Sequence, residues 1–247
     1  MEIEKQQCDV LCVGGGIAGL MAAIRAAELG AKVIVAEKSN TERSGAGGAG
    51  NDHFQCYIPE AHGDFQDFWN ELFYGQSAGA LRSMSQEYVR YWFENTFDVL
   101  QDWDRWGIPM KYEGKYEFAG HAFPGKMINH LKYSGNNQKP MLTKQALTAG
   151  AKIVNRVMVF ELLKSKAGDV IGALGLDARE DKLIIFEAKS VVLGTGGCQR
   201  MYPGVTAGAE NNRGWPVTLS GDGRAMAYRA GADLKNPELV RRHAGPK

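Results

Sequence analysis

Residues 8–38, CDVLCVGGGIAGLMAAIRAAELGAKVIVAEK, decide the fold. Cys8 to Val13 is a short apolar run that ends on three glycines, and from Ile17 to Leu29 apolar residues and alanines recur at helical spacing. Gly30 closes that helix, because a glycine just past the last turn accepts the left-handed backbone required there. Lys32 to Ala36 is rich in β-branched residues and reads as a second buried strand. Strand, glycine turn, helix and strand make a βαβ crossover with parallel strands.

The turn itself carries chemistry. Gly14-Gly15-Gly16-Ile17-Ala18-Gly19 satisfies G-x-G-x-x-G, with a strand before it and a helix after it. The first glycine allows the tight turn, the second lets a pyrophosphate approach the backbone, and the third lets helix and strand pack closely. The helix N-terminus supplies free N–H groups and a partial positive charge. Glu37, at the end of the second strand, is placed to accept hydrogen bonds from ribose hydroxyls, and an acid there disfavours the 2′-phosphate of NADP. At this point the choice is FAD or NAD. The stretch Arg43 to Gly50, RSGAGGAG, is too glycine-rich for a helix or strand and reads as a loop with exposed backbone. A second glycine segment so soon after the acid suits a long, buried dinucleotide and favours FAD.

Farther along, Phe65 to Phe73 and Ser85 to Trp106 have helical spacing, with capping material at Ser83 to Gln86 and a stop at Gly107-Ile108-Pro109. Trp69, Trp92, Trp103 and Trp106 lie on helical stripes and read as core. Lys111 to Lys139 is irregular and reads as a surface excursion. Thr143 to Thr148 reads as a short helix. Lys152 to Leu163, Val170 to Asp177 and Leu183 to Glu187 read as a small antiparallel sheet with a charged hairpin turn at Arg179 to Lys182, before the chain rejoins the main sheet at Ser190 to Leu193. GTGG follows at 194–197, and Gly221-Asp222-Gly223 opens a last helix closed by Gly231.

The bulk properties exclude several classes. Lys and Arg number 29 against 28 Asp and Glu, with no basic run, so nucleic acid is set aside as a partner. No window holds 18 uninterrupted apolar residues, and the segment before Cys8 leaves no room for a secretory signal. Cys8, Cys12, Cys56 and Cys198 have neither zinc nor iron–sulfur spacing and are too few for a disulfide scaffold, which points to a reducing cytoplasm. Cys8 and Cys12 read as small hydrophobes in a strand. His53, His62, His121 and His130 lie in or near loops without ligand spacing, so no metal is assigned.

Five motifs in order, GGGIAGL, Glu37, Arg43-Ser44-Gly45, GTGG at 194–197 and SGDG at 220–223 followed by RAMAYRAGA, resemble the flavoprotein subunits of succinate dehydrogenase and fumarate reductase. L-aspartate oxidase and the adenylylsulfate reductase alpha subunit belong to the same superfamily. The resemblance implies a Rossmann-like α/β FAD-binding domain of the glutathione-reductase type over residues 1–233. That domain would carry a helical excursion at about 60–140 and a small β insertion at about 152–188, and residues 234–247 would begin a substrate-capping domain. It implies that FAD is held by Gly14, Gly15, Gly16, Ile17, Ala18 and Gly19, by Glu37 and Lys38, by Arg43, Ser44, Gly45, Gly47, Gly48, Ala49 and Gly50, by Met158, and by Thr195, Gly196, Gly197 and Asp222. Respiratory members carry a flavin-bonding histidine after the Arg-Ser pair, where this chain has Gly45, so the FAD is expected to be non-covalent. NRVMVFELL and GALGLDAREDKLIIFEAKSVVL look closer to the adenylylsulfate reductase type, whereas Gly221-Asp222-Gly223 looks respiratory.

In the fumarate and succinate enzymes an acid-containing strand leads to a histidine that binds a substrate carboxylate, and Pro237 to His243 falls in that register. His243 is the candidate substrate ligand, although Arg242 and Ala244-Gly245 replace its usual neighbours. Arg241 and Arg242 read as an anion fork or as solvated charges. Expected partners are a small anionic substrate and an iron–sulfur or other electron-transfer subunit, with the chain cytoplasmic or peripheral to a membrane complex. Family members are considerably longer: they supply a cap, a proton-transferring arginine and a returning flavin segment. The expectation is therefore a fragment or one half of a split protein, binding FAD weakly and not turning over alone. Three readings stay open: a fumarate reductase or succinate dehydrogenase-like oxidoreductase, an adenylylsulfate reductase alpha-like subunit, and a non-catalytic flavin-binding module.

Overall fold

The computed structural model describes residues 2–76, 85–118, 126–198, 216 and 218–235. The chain forms two compact units, one from Met1–Ala49 with Lys139–Lys247 and the other from Gly50–Gln138.

The first unit begins with β1 (Glu2–Val13), α1 (Ile17–Glu28) and β2 (Val33–Glu37). All five residues of β2 are buried, as its β-branched composition leads one to expect. Leu20, Ala23 and Ile24 form the buried face of α1, and Gly30 follows it at φ +86°. β1 is twice as long as its apolar half. Its polar start forms a strand because it lies in register beside a distant segment, with Lys182 Nζ 3.1 Å from Glu4 and Gln7 donating to Glu187 at 2.6 Å.

The second unit contains β3 (His53–Gln55), α2 (Pro59–His62), α3 (Phe65–Asn70) continuing into a π turn at Glu71–Gln76, α4 (Gln86–Arg105), β4 (Glu117–Phe118) and β5 (His130–Lys132). Its strands form an antiparallel sheet in the order β3-β5-β4. Phe68, Trp69, Leu72, Phe73, Val89 and Phe93 pack into one buried cluster between the helical stripes. Trp92 departs from the expected core role and is 42% exposed. Asp64 caps α3, accepting from the N–H groups of Gln66 and Asp67. At α4 the cap position is Ser85 without a side-chain cap bond, and Ser83 lies outside the described residues.

The chain returns through α5 (Gln138–Thr148), β6 (Lys152–Asn155), β7 (Met158–Lys164), β8 (Val170–Asp177), β9 (Lys182–Leu193) and α6 (Asp222–Ala230). Three sequence readings change here. Lys111 to Lys139 is not simply a surface excursion, since Leu131, Tyr133, Gln138 and Lys139 are all buried. The helix expected from Thr143 starts five residues earlier, after a 3-10 turn at Gly135–Asn137. The run 152–163 divides into two strands, because Arg156 turns left-handed at φ +67°.

One six-stranded sheet, in the order β6-β2-β1-β9-β8-β7, joins the parallel strands to the antiparallel ones. β9 makes the join. The two segments read separately, Leu183 to Glu187 and Ser190 to Leu193, are one strand, parallel to β1 on one side and antiparallel to β8 on the other. Asp177 Oδ1 accepts from the N–H groups of Arg179 and Glu180 and shapes the expected hairpin turn. Leu11, Val13, Ile34, Phe186 and Met226 belong to one continuous core beneath both parts of the sheet. α6 is tied to β7 by Arg229, whose Nε lies 3.0 Å from Glu161 Oε2.

Candidate functional site

Three glycines bring β1, α1 and β9 together at the carboxyl end of the parallel strands. Gly14 turns left-handed at φ +95°, and its N–H donates to the Ala36 carbonyl at 2.8 Å. A Cβ at Gly19 would lie 1.9 Å from the Gly14 oxygen, a Cβ at Gly14 2.7 Å from the Gly194 oxygen, and a Cβ at Gly194 2.8 Å from the Gly19 nitrogen. Each contact is with backbone, which cannot rotate aside. Gly16 differs: the nearest atom to a Cβ there is the Gly194 oxygen at 3.6 Å. The space beside it is open. Ile17 and Ala18 open α1, whose first turn has no acidic residue and whose cap residue makes no side-chain bond. No acid in that first turn offsets the positive end of the helix dipole.

Glu37 is 5% exposed and holds the turn from beneath. Its Oε2 accepts from the Gly15 N–H at 2.6 Å and its Oε1 from the Ser39 N–H at 2.8 Å. A Cβ on Gly15 would meet Thr41 Cγ2 at 2.4 Å, so this glycine is required by the protein's own packing. Thr41 is in turn placed by Asn155, whose Oδ1 accepts its N–H at 3.0 Å. The Val157 N–H donates to the Glu37 carbonyl at 3.0 Å, so the β6–β7 connection braces the acid and sets Met158, 41% exposed, one residue beyond it.

The loop after β2 folds on itself. The Arg43 and Ser44 N–H groups both donate to the Asn40 carbonyl, and a Cβ at Gly48 would lie 2.0 Å from the Arg43 oxygen. Gly45, at φ +75°, places its Cβ direction 3.8 Å from Gly16 Cα, so the two glycine segments meet. Gly47 is buried and Ala49 exposed. Gly50, at φ +91°, opens the second unit and packs against Asn136. The Ser44 and Thr41 hydroxyl oxygens are buried without a hydrogen-bond partner among the described residues.

On the far side, Thr195 packs under the start of α6, where a Cβ at Gly223 would fall 1.9 Å from its Oγ1. Gly196 is left-handed at φ +76°, and Gly197 precedes the Cys198–Ser220 bridge that draws this turn toward Asp222. Lys38 and Asp222, expected as separate cofactor contacts, form an ion pair at 2.7 Å, with Ser220 Oγ within 3.1 Å of both. Partial burial alone would raise the Asp222 carboxyl; the Lys38 and Ser220 hydrogen bonds outweigh it and hold it below the ordinary carboxylate range.

Lys139 escapes a reading of the sequence. It is 1% exposed, and its Nζ donates to the Gly15 carbonyl. Burial pushes its ammonium down to about 8, partly opposed by the Glu37 carboxylate. Nothing in the local composition, NNQKPM, marks that lysine as buried; the only signal is the Lys-Pro step that starts a helix.

In the second unit, His62 Nδ1 accepts from the Ile58 N–H and Nε2 bonds the Ile128 carbonyl, while burial lowers its pKa, so it serves as a neutral structural link. His121 and His243 lie outside the described residues, as do Arg241 and Arg242. Among the described residues no group of three or more His, Cys, Asp or Glu is placed to hold a metal. Among them, too, no helix is long and apolar enough to cross a membrane.

A family model described as an FAD binding domain matches residues 9–244. A polypeptide of the CoM/CoB fumarate reductase from Methanothermobacter marburgensis is 29% identical, over 98% of this chain and 43% of its own length. The succinate dehydrogenase flavoprotein of Rickettsia bellii is 27% identical, over 95% of this chain and 39% of its own. Among solved structures, adenylylsulfate reductase from Archaeoglobus fulgidus superposes with a TM-score of 0.76 and 28% identity, over 94% of this chain and 37% of that one. The chain thus spans about two fifths of the length of these relatives.

Proposed function

Because this chain belongs to the FAD binding domain family, we propose that it is the cofactor-holding part of an FAD-dependent oxidoreductase of the fumarate reductase and succinate dehydrogenase kind. The protein would pass electrons between a small anionic substrate and an iron–sulfur or other electron-transfer partner in the cytoplasm. FAD is the cofactor, and the residues present fit it. The observation that carries this reading is the glycine junction, where a Cβ at Gly14, Gly19 or Gly194 would strike protein backbone while one at Gly16 would meet nothing nearer than 3.6 Å. The buried Ser44 hydroxyl without a partner is a further fit, since it offers a polar contact to a ligand lying along the loop.

In this reading Gly14 to Gly19 and the α1 terminus receive the pyrophosphate, Glu37 and Met158 flank the adenosine half, and Arg43 to Gly50 with Thr195 to Gly197 border the flavin half. Lys38 and Asp222 tie the two sides together. When bound, the isoalloxazine supplies the redox chemistry, taking up or giving two electrons. The chain's own part is to orient it and exclude water. Gly45 carries no side chain that could bond the flavin, and its left-handed backbone would strain a histidine, which supports a non-covalently held cofactor. We propose further that residues 1–233 make up the FAD-binding domain and that His243 is a substrate ligand.

The test is direct. Purified protein should show a flavin spectrum, and acid precipitation should release all of the flavin into the supernatant; a colourless protein, or flavin left in the pellet, refutes the corresponding part. Reoxidation of the reduced flavin by fumarate supports the leading reading. The 28% identity to adenylylsulfate reductase favours a second one, an alpha-like subunit of that enzyme, in which sulfite with AMP would reduce the flavin instead. A protein that holds FAD and reacts with neither is a flavin-binding module without its own catalysis.

A further inference from the structure

The glycine turn is gripped at both polar ends of one residue. The N–H of Gly15 donates to Glu37 Oε2 at 2.6 Å, and its carbonyl accepts from Lys139 Nζ. Both charged groups are buried, Glu37 at the end of β2 and Lys139 in the first turn of α5. A buried ammonium persists only where its bonds repay the lost hydration, and here the repayment is a carbonyl of the cofactor loop together with the field of Glu37.

The geometry of the peptide group turns this contact into a directional one. The carbonyl of Gly15 and the N–H of Gly16 belong to the same planar trans peptide, so they point in opposite directions. With the carbonyl drawn toward Lys139, the Gly16 N–H is aimed the other way. The space around Gly16 is the open part of the junction, where a Cβ would meet nothing nearer than 3.6 Å. Left to itself, a glycine pair such as Gly15-Gly16 could flip that peptide at little steric cost.

We propose that Lys139 is a positioning residue for FAD: by holding the Gly15 carbonyl it locks the Gly15–Gly16 peptide with the Gly16 N–H presented to the pyrophosphate, and its charge offsets Glu37 beneath the incoming anion. This rests on the FAD reading above. Lys139 acts through the loop and through its field.

A charge-bearing role has a signature that a packing role lacks. The ammonium of the free protein is pushed down to about 8 by burial. Among the described residues Glu37 on β2 is the charged group that faces it; the first turn of α1 brings no acid, and Gln138 and Pro140 flank it on α5. An anion bound nearby favours the charged form and raises that value, so binding takes up a proton above pH 8. FAD affinity is therefore level below about pH 8 and falls by up to about tenfold per pH unit above it. In K139R the guanidinium stays charged, and the fall is absent.

The experiment measures FAD affinity by fluorescence quenching on flavin-stripped protein between pH 6.5 and 9.5, for the wild type, K139R and K139M, with circular dichroism as a check on folding. Expected are a loss of about tenfold or more in K139M at pH 7, near wild-type affinity in K139R, and the alkaline fall in the wild type alone. K139M binding as tightly as the wild type overturns the proposal, as does an identical alkaline fall in the wild type and K139R. Should K139M not fold, the wild type and K139R decide by their pH profiles. A wild type that takes up no FAD at any pH removes the underlying FAD reading, a result distinct from a wild type that binds while K139M binds equally.

Discussion

Gly16 and Gly19 are three residues apart in one motif, yet the structure gives them opposite tolerances. Gly19→Ala would drive a methyl to within 1.9 Å of the Gly14 oxygen, and relief requires opening the β1–α1 turn. We expect a loss of about 1–3 kcal/mol in stability, seen as a lower Tm, together with loss of bound flavin. Gly16→Ala meets open space with a backbone at φ −71° that any residue accepts. Its Tm should stay within about 2 °C of the wild type while FAD uptake falls, because the methyl occupies the phosphate's place. If both variants lose stability equally, the division between packing glycine and ligand glycine is wrong. The Lys38–Asp222 pair gives a pH test at the same scale. Asp222 has its folded pKa lowered, so its contribution is present above the unfolded carboxylate range near 4 and disappears as pH falls through the folded value. The pair is partly exposed, and Asp222→Asn should cost only about 1 kcal/mol at pH 7 and nothing at about pH 2 in urea melts.

Between elements, the contact to test is that of α6 with the turn after β9. Gly223 lies against Thr195, and the obstruction is a side chain, which makes it removable. Gly223→Ala should lower Tm by several degrees, and Thr195→Gly should restore most of that loss in the double variant, a coupling of about 1 kcal/mol or more. Additive losses in the two single variants would show that the helix start and the turn are not in contact. β9 carries more. Phe186 is fully buried at the junction of the parallel and antiparallel parts, and Phe186→Ala should cost about 3–5 kcal/mol in denaturant unfolding. The strand-turn-helix start of this sheet was legible in the sequence because apolar periodicity and glycine chemistry act over a few residues. The length of β1 was not, since its polar half is a strand only by pairing with a segment about 180 residues away.

For the molecule as a whole, a cofactor that binds only the folded chain stabilises it by mass action. FAD at a hundred times its dissociation constant should add about 2.7 kcal/mol, read as a rise in Tm that continues with concentration; a Tm indifferent to FAD would count against binding by this chain. By itself the amino-acid sequence determined the βαβ start, the glycine turn with its acid, the second glycine loop and the order of motifs, all of which are local patterns in which a residue's neighbours state its role. Tertiary structure alone decided that one strand would serve both kinds of sheet, that Lys38 and Asp222 would pair, and that Lys139 would be buried beneath Gly15. A lysine in a polar stretch looks solvated until the fold brings a carbonyl and a carboxylate to it, because the energy that permits its burial comes from groups 124 and 102 positions away in the chain.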